Sequence, residues 1–345
     1  MDHQDPDIYS GGHIHRDRAA STGAADCSAE GCQYLPAMHR DRVTMNNESK
    51  QVKKHERLRL LIQLLSAVFV NGYVAGFAKG KIFTGKSKMF CVPVLNCYSC
   101  PGALGACPIG SLQAVLGSHK FNFSFYVLGT LMLFGVVLGR LVCGFLCPFG
   151  LVQDLLHRIP LPKITVPKKI DRPLRYLKYV ILVVMVILLP LLLTDKYGTG
   201  EPYFCKFICP AGTLEGAFPL LTKNESLRSA VGALFDWKVC VLIIIIILST
   251  MIHRPFCKYL CPLGAFYGLF AKFSLYRMHL DESKCIKCHA CESACPMTVE
   301  ILKNINSAEC IRCGKCKAVC PENAISGGFF KKDEPCAQNV MSDHD

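Results

Sequence analysis

Charged residues are scarce in this sequence. Asp, Glu, Lys and Arg make up 19% of its 345 residues, whereas hydrophobic residues make up 51% and come in blocks, as in membrane proteins. The sequence also lacks a P-loop, a dinucleotide-binding glycine motif and a serine–histidine–aspartate arrangement. The net charge of +13 lies mostly beside the apolar blocks and forms no basic stripe with interleaved aromatic residues, so we expect no nucleic-acid binding.

The apolar blocks predict four membrane-spanning helices. They cover residues 58–78, 124–142, 176–193 and 235–251, lengths that suit a hydrocarbon core of about 30 Å. Lysines and arginines precede the first block, which places the N-terminus in the cytoplasm by the positive-inside rule. We therefore expect a multi-pass protein in the lipid bilayer of the inner (cytoplasmic) membrane, with both termini cytoplasmic. Residues 1–50 show neither a periodic pattern nor a signal-peptide core and predict a disordered tail.

The chain has 22 cysteines, and eight of them form two consecutive copies of C-x2-C-x2-C-x3-C-P. This run builds pairs of [4Fe–4S] clusters in bacterial ferredoxins, where the fourth cysteine of each run binds the other cluster. One predicted cluster is therefore held by Cys285, Cys288, Cys291 and Cys320. The second is held by Cys310, Cys313, Cys316 and Cys295. A zinc module fits less well, since zinc sites usually show two well-separated cysteine pairs.

A second cysteine pattern, C-P-x-G, follows each predicted span. We call the four copies elbow 1 (residues 91–113), elbow 2 (143–153), elbow 3 (205–215) and elbow 4 (257–267). Proline ends one helix and starts the next, and glycine permits a close turn. In elbows 2 to 4 another cysteine stands four residues earlier, so that two thiols share a helix face. Elbow 1 carries four cysteines instead: Cys91, Cys97, Cys100 and Cys107.

One elbow offers two thiols, whereas a cubane needs four, so elbows on the same membrane side are expected to combine. Elbows 2 and 4 predict a third cluster on the cytoplasmic side, held by Cys143, Cys147, Cys257 and Cys261. On the opposite side, a fourth cluster would take Cys205 and Cys209 with two or more of Cys91, Cys97, Cys100 and Cys107. Two alternatives stay open: soft thiolates also favour copper and zinc, and outer-face cysteines can form disulfides or an exchanging dithiol.

These residues resemble the membrane-bound polyferredoxins, a family that includes NapH-type nitrate reductase subunits, NosR-type proteins of nitrous oxide respiration and CcoG-type copper reductases. The resemblance covers about residues 58–326 and rests on CGFLCPFG, CKYLCPLGAFYG and the double ferredoxin run. It implies an integral membrane protein that passes electrons between a quinone pool or cytoplasmic donor and an acceptor at the membrane. The extra motifs around Cys97, Cys100 and Cys107, and around Cys205 and Cys209, are more similar to the anaerobe-type 4Fe–4S membrane proteins of this superfamily.

The expected fold is mainly α: about four transmembrane helices and a C-terminal α+β ferredoxin module. The expected divisions are a polar tail (1–50), a membrane domain with the elbows (51–275), a two-cluster ferredoxin domain (276–327) and a flexible tail (328–345). We expect an electron-transfer component of an oxidoreductase system that works with redox partner proteins. Quinone is a candidate partner and copper a candidate cofactor. The alternatives are a Cu(II) reductase and a redox-sensing or assembly protein.

Overall fold

A computed structural model describes residues 42–118, 124–195 and 199–329. Within these ranges the chain is largely helical: α1 (Arg42–Val70), α2 (Val74–Lys79), α3 (Pro108–Leu116), α4 (Phe125–Val137), α5 (Leu141–Phe145), α6 (Pro148–Leu156), α7 (Lys168–Ile181), α8 (Leu189–Leu192), α9 (Tyr203–Phe207), α10 (Phe218–Lys223), α11 (Glu225–Ser229), α12 (Ala233–Met251), α13 (Pro255–Tyr259), α14 (Pro262–Leu269), α15 (Ala290–Ser293) and α16 (Lys315–Val319). A 3₁₀ turn covers Lys86–Met89, and π-helical segments cover Leu182–Leu188 and Gly212–Ala217. Two strands, β1 (Tyr276–Leu280) and β2 (Ile325–Phe329), pair antiparallel.

In the described part of the chain, two helices are long and apolar enough to cross a membrane. They are Lys168–Leu192, which joins α7 to α8 over 25 residues, and α12 with 19 residues, and they match the third and fourth predicted spans. The second predicted span contains α4, which has only 13 residues. The first is interrupted because α1 ends at Val70, just before Asn71 and Gly72, both poor helix formers. The first two crossings therefore stay predictions.

The predicted N-terminal tail includes residues that belong to helix α1 in the structure. Helix α1 begins at Arg42, so residues 42–50 are helical although their sequence predicted a disordered segment. Extending an existing helix avoids the cost of nucleation, which lets the apolar part of α1 carry a polar extension. Residues 1–41 of the predicted tail, and residues 330–345 at the other end, lie outside the described ranges.

Each elbow turns at a Cys-Pro pair. Cys107, Cys147 and Cys261 have extended backbone, with φ of −67°, −72° and −73°, and the following proline starts α3, α6 or α14. Proline favours extended backbone in the residue before it and suits the first helical position, where its missing N–H leaves no gap. The thiol of each of these cysteines therefore lies at the N-terminus of a helix.

The C-terminal segment is an internal duplication. Strands β1 and β2 pair Tyr276 with Phe329 and Leu280 with Ile325, and the cysteine-rich loops lie between them. Positive φ angles recur at three equivalent places in its two copies: Lys287 and Arg312, His289 and Gly314, Thr298 and Asn323. Left-handed residues within such loops turn successive N–H groups towards one concavity, as in many iron–sulfur sites. The regular elements of this segment are thus two strands and the short helices α15 and α16.

A buried ion network joins α1, α6 and the start of α13. Asp154 lies 2.5 Å from both Arg59 Nη2 and Arg254 Nη2, and 3.2 Å from His253 Nε2. Burial by itself would raise the pKa of Asp154, but Arg254, His253 and Arg59 outweigh it and hold the pKa well below its ordinary value. The carboxylate thus neutralises two arginines directly behind elbows 2 and 4.

A second network fixes the C-terminal segment to these elbows. Both carboxylate oxygens of Glu309 lie 2.6 Å from Lys178 Nζ, and one lies 3.2 Å from Arg140 Nη1. Burial would raise the pKa of Glu309, but Arg140 and Lys178 keep it below its ordinary value. A Cβ added to Gly144 would come within 2.3 Å of the carbonyl oxygen of Ile311, so only glycine permits this approach. The ferredoxin-like segment is therefore in direct contact with elbow 2.

Replacing Asp154 with alanine is expected to lower the free energy of unfolding by about 3–5 kcal/mol, because it leaves the fully buried Arg254 and the partly buried Arg59 without their counter-charge. Denaturant unfolding of the detergent-solubilised protein measures the loss. The control is Glu201→Ala, which breaks an exposed pair with Lys206 and should cost at most about 1 kcal/mol. Equal losses in the two variants would contradict this account.

Candidate iron–sulfur sites

The C-terminal segment holds two small cavities, and each is lined by four cysteines. One is lined by the distal quartet: Cys285, Cys288, Cys291 and Cys320. The other is lined by the proximal quartet: Cys295, Cys310, Cys313 and Cys316. In both, the fourth cysteine comes from the other motif copy, which is the crossed arrangement that the spacing predicts.

The two quartets differ in exposure. Cys288 of the distal quartet is exposed, and the neighbouring Ile286 keeps 56% of its surface accessible. The proximal cavity is enclosed by apolar side chains, including Met297 and Ile311, each 1% exposed. The distal quartet thus lies at the protein surface, and the proximal quartet lies between it and the elbows.

Elbows 2 and 4 bring together an inner quartet: Cys143, Cys147, Cys257 and Cys261. All four side chains are buried, and their thiols influence one another electrostatically. Burial raises the pKa of the Cys257 and Cys261 thiols, an effect that Arg254 opposes at Cys257 and the neighbouring thiols reinforce at Cys261. Such thiols stay protonated until a bound metal centre takes the place of their protons. The grouping is the one predicted for the third cluster.

Two fully buried arginines flank the inner quartet. Arg254 Nη1 donates to the carbonyl oxygen of Cys143 at 2.6 Å, and Arg140 Nη2 donates to that of Cys257 at 3.4 Å. Arg254 also has a left-handed backbone, with φ of 50°, a strain of about 1–3 kcal/mol that clusters at functional sites. Their positive charges suit an anionic thiolate-bound group.

Elbows 1 and 3 bring together an outer quartet: Cys97, Cys107, Cys205 and Cys209. These four line one cavity of about 580 Å³. Cys100 instead donates to Asn71 Oδ1 at 3.4 Å, and Cys91 lies on a bridge with Ala106, beside Cys107. The structure thus brings four of the outer cysteines to one cavity, whereas the sequence left their grouping open.

Polar groups without partners surround the outer quartet. Among the described residues, the side chains of Asn96, Thr213 and Lys88 are buried and make no hydrogen bond through their terminal nitrogen or oxygen atoms. Asn96 lines the cavity, Thr213 follows Cys209 by four residues, and Lys88 lies near Cys100 and Cys97. Buried polar atoms are normally satisfied, so these donors fit a bound group with acceptor atoms, such as the sulfides of a cluster.

A half-buried acid lies beside the outer quartet. Burial raises the pKa of Glu215 to about 7, and the hydrogen bond from the N–H of Cys97, at 2.9 Å, opposes this only in part. Elbow 3 therefore places a carboxyl group, rather than an arginine, beside the cysteines of elbow 1. The inner and outer quartets have matching thiols but different electrostatic surroundings.

Among the residues that the structure describes, no group of three or more His, Cys, Asp or Glu side chains converges closely enough to hold a single ion. One zinc ion needs sulfurs about 2.3 Å from one point, whereas a cubane gives each thiolate its own iron. Four thiols in each quartet are the donor set that a [4Fe–4S] cluster takes.

Tyr267 connects the inner and outer quartets. Its side chain is 0% exposed, and its hydroxyl donates to the carbonyl oxygen of Pro93, in the loop of elbow 1, at 2.9 Å. Thiols of both quartets act on this phenol electrostatically, among them Cys143 and Cys107. The Tyr267 hydroxyl is therefore close enough to both sites to respond to their charge.

Sequence reasoning missed several polar residues around the quartets. Arg254 precedes elbow 4, and Gln113 and Gln153 each follow the Cys-Pro cysteine of their elbow by six residues. Aligning the elbows with one another would have shown the shared glutamine position. Nothing in the local pattern marks Arg254, because its role depends on a contact with elbow 2.

Comparison with known families supports iron–sulfur binding along much of the chain. Residues 123–167, 178–221 and 234–280 match a family described as a 4Fe-4S binding domain, and each segment contains one elbow. Residues 277–321 match a 4Fe-4S dicluster domain. No solved structure matches the chain.

Relatives come from archaea and bacteria. An uncharacterized protein of Methanocaldococcus jannaschii is 33% identical over 202 residues, covering 57% of this chain and 67% of the relative. The methylamine utilization ferredoxin-type protein MauN of Paracoccus denitrificans is 29% identical, covering 46% of this chain and 48% of MauN. The regulatory protein NosR of Stutzerimonas stutzeri is 24% identical, covering 44% of this chain but only 19% of NosR.

The cysteine quartets and these matches define a 4Fe–4S ferredoxin-type electron-transport protein. The chain belongs to the family that includes NapH and NosR, as its sequence predicted. The matched descriptions concern iron–sulfur binding and say nothing of quinone or copper. Both therefore stay predictions.

Crossed ligation in the C-terminal segment predicts which cluster each substitution removes. Cys295→Ser should remove the cluster of the proximal quartet, a loss of about four irons per chain, and leave that of the distal quartet. Iron analysis with EPR spectroscopy measures the loss. Cys240→Ser, which changes an exposed cysteine of α12, is the control and should retain all iron. Loss of the distal signal instead would contradict the crossed arrangement.

The outer cavity predicts a contrast between two cysteines of elbow 1. Cys107→Ser should lower the iron content by about four atoms per chain, because Cys107 lines the cavity with three other thiols. Cys100→Ser should retain that iron, because the Cys100 thiol bonds to Asn71. Iron analysis of both anaerobically purified variants decides between them. The reverse order of iron loss would show that the quartet is wrongly assigned.

Proposed function

We propose that this chain relays electrons between redox partner proteins through four [4Fe–4S] clusters, held by the distal, proximal, inner and outer quartets. When bound, such clusters supply one-electron transfer. The observation that carries the proposal is that the loop of the proximal quartet contacts elbow 2 through Ile311 and Gly144, while Tyr267 of elbow 4 bonds to the loop of elbow 1. Each contact lies within the described part of the chain.

The proximal quartet rests against the inner quartet. Ile311 stands between two proximal cysteines, and its carbonyl oxygen touches Gly144, the neighbour of Cys143. Arg312 fixes the same loop by donating to the carbonyl oxygens of Leu138 at 2.7 Å and Ala271 at 2.9 Å. These bonds hold the loop in place and exclude water from the contact.

The inner and outer quartets meet at Tyr267, which removes a difficulty of the predicted topology. Elbows at opposite faces of a hydrocarbon core of about 30 Å would be too far apart for efficient transfer. The bond from Tyr267 to Pro93 instead brings elbow 4 to the loop of elbow 1. Buried, irregular backbone of this kind suits the membrane interior only where protein covers it.

The membrane arrangement follows from the two apolar helices. Lys168–Leu192 and α12 anchor the chain in the bilayer. With the N-terminus in the cytoplasm, the exposed distal quartet faces a cytoplasmic donor or acceptor. The outer quartet then serves a partner in the membrane or beyond it, and a quinone is a candidate for that role.

Anaerobic purification with iron, sulfide and copper analysis and redox-titrated EPR tests the proposal. The unaltered chain should hold about sixteen irons, four for each quartet. The double variant Cys143→Ala, Cys257→Ala should hold about twelve and keep the distal and proximal signals as an internal control. An unchanged cluster count in the double variant would refute the inner site. About eight irons with retained copper would favour the copper-reductase alternative.

A further inference from the structure

Two buried glutamines occupy the same place in two different elbows. Gln113 in α3 follows Cys107 by six residues, and Gln153 in α6 follows Cys147 by six residues. Their side chains are 0% and 1% exposed. A buried amide is costly unless its hydrogen bonds are made, so its partners show what it stabilises.

Gln153 joins elbow 2 to the first cysteine of elbow 4. Its Nε2 lies 3.0 Å from Cys257 Sγ, and its Oε1 accepts the backbone N–H of Phe256 at 3.2 Å. A backbone N–H can only donate, so the amide oxygen must face Phe256. The amide nitrogen is thereby directed to the sulfur.

Gln113 makes the same contacts in the other pair of elbows. Its Nε2 lies 3.3 Å from Cys205 Sγ, and its Oε1 accepts the N–H of Phe204 at 3.0 Å. Phe204 and Phe256 are equivalent residues, each directly before the first cysteine of its elbow. The two quartets thus receive one glutamine each, in the same geometry.

The equivalent residues of elbows 3 and 4 have different roles. Glu215 and Tyr267 also follow their Cys-Pro cysteines by six residues. Glu215 accepts the backbone N–H of Cys97, and Tyr267 donates to a carbonyl oxygen. The hydrogen bond from a glutamine amide to a cysteine sulfur therefore occurs in elbows 1 and 2. Elbow 1 is paired with elbow 3 in the outer quartet, and elbow 2 with elbow 4 in the inner quartet.

We propose that Gln153 and Gln113 raise the reduction potentials of the inner and outer clusters, each through an N–H···S hydrogen bond to one ligand sulfur. This inference rests on the proposed function. Reduction adds negative charge to a cluster and its thiolates, so a donor at the sulfur stabilises the reduced form more than the oxidised form. Both glutamines are positioning residues that also tune the cluster.

The test is redox-titrated EPR of the full chain with Gln153→Leu and Gln153→Glu, and with the same changes at Gln113. Leucine removes the donor, while glutamate keeps an oxygen for the phenylalanine N–H but offers no amide donor to sulfur. The Gln153 variants should lower the midpoint potential of the inner cluster alone. The Gln113 variants should lower that of the outer cluster alone. We expect the midpoint potential to fall by about 59 mV, which for one electron corresponds to a tenfold smaller equilibrium constant for reduction of the cluster.

The matched control is Gln63→Leu. Gln63 is 2% exposed and donates to Asp154 and to the carbonyl oxygen of Gly144 but to no sulfur, so its loss should leave all midpoint potentials unchanged. Unchanged potentials in Gln113 and Gln153 variants that keep their iron would overturn the inference and leave the proposed function intact. Loss of iron in both variants at one position would also overturn it, since the glutamine would then be a structural support. Absence of inner and outer signals in the unaltered chain would overturn the proposed function as well.

Discussion

The structure depends on the conformational constraint at its Cys-Pro junctions. Proline holds the cysteine before it in extended backbone and begins a helix without needing a hydrogen-bond partner. Each such thiol is thereby fixed at a helix N-terminus, where free N–H groups and the helix dipole favour negative charge. Cys261 shows the result directly, since its sulfur accepts the N–H of Gly264 at 3.4 Å. Repeating this junction along the chain produces the elbows, and pairing the elbows produces the inner and outer quartets.

Thiolates that converge on one site bring negative charges together. The two elbow pairs place different charged side chains beside these thiols. The inner quartet has two buried arginines, which Asp154 and Glu309 neutralise from behind. Beside the outer quartet lie a half-buried glutamate and a lysine that has no hydrogen-bond partner among the described residues. Potentials of iron–sulfur clusters follow local charge and hydrogen bonding, so chemically similar sites need not be electronically equal. The internal repeat thus conserves ligand geometry while its surroundings diverge.

Local spacing predicted more of the sites than of the membrane architecture. The crossed ferredoxin quartets and the inner quartet follow from motif spacing, because each ligand set is built from short segments with fixed turns. The choice among Cys91, Cys97, Cys100 and Cys107 could not follow, because it depends on how the loop folds back through its bridge at Ala106. Hydropathy likewise counted residues 58–78 as one span, although the helix ends at Val70. The burial of Arg140 and Arg254 could not be predicted from the sequence, since their counter-charges, Glu309 and Asp154, lie about a hundred residues or more away in the chain.

The contact between Gly144 and Ile311 has a kinetic consequence. A soluble ferredoxin must find its partner by diffusion, and its rate depends on concentration and ionic strength. Here the carbonyl of Ile311 lies where even a methyl group would not fit, so the ferredoxin-like segment is already seated on the elbows. In the proposed relay, transfer across this contact is a first-order event within one molecule, insensitive to viscosity and to the dilution of the protein. Encounters with partner proteins, at the exposed distal loop and at the outer quartet, would still depend on diffusion.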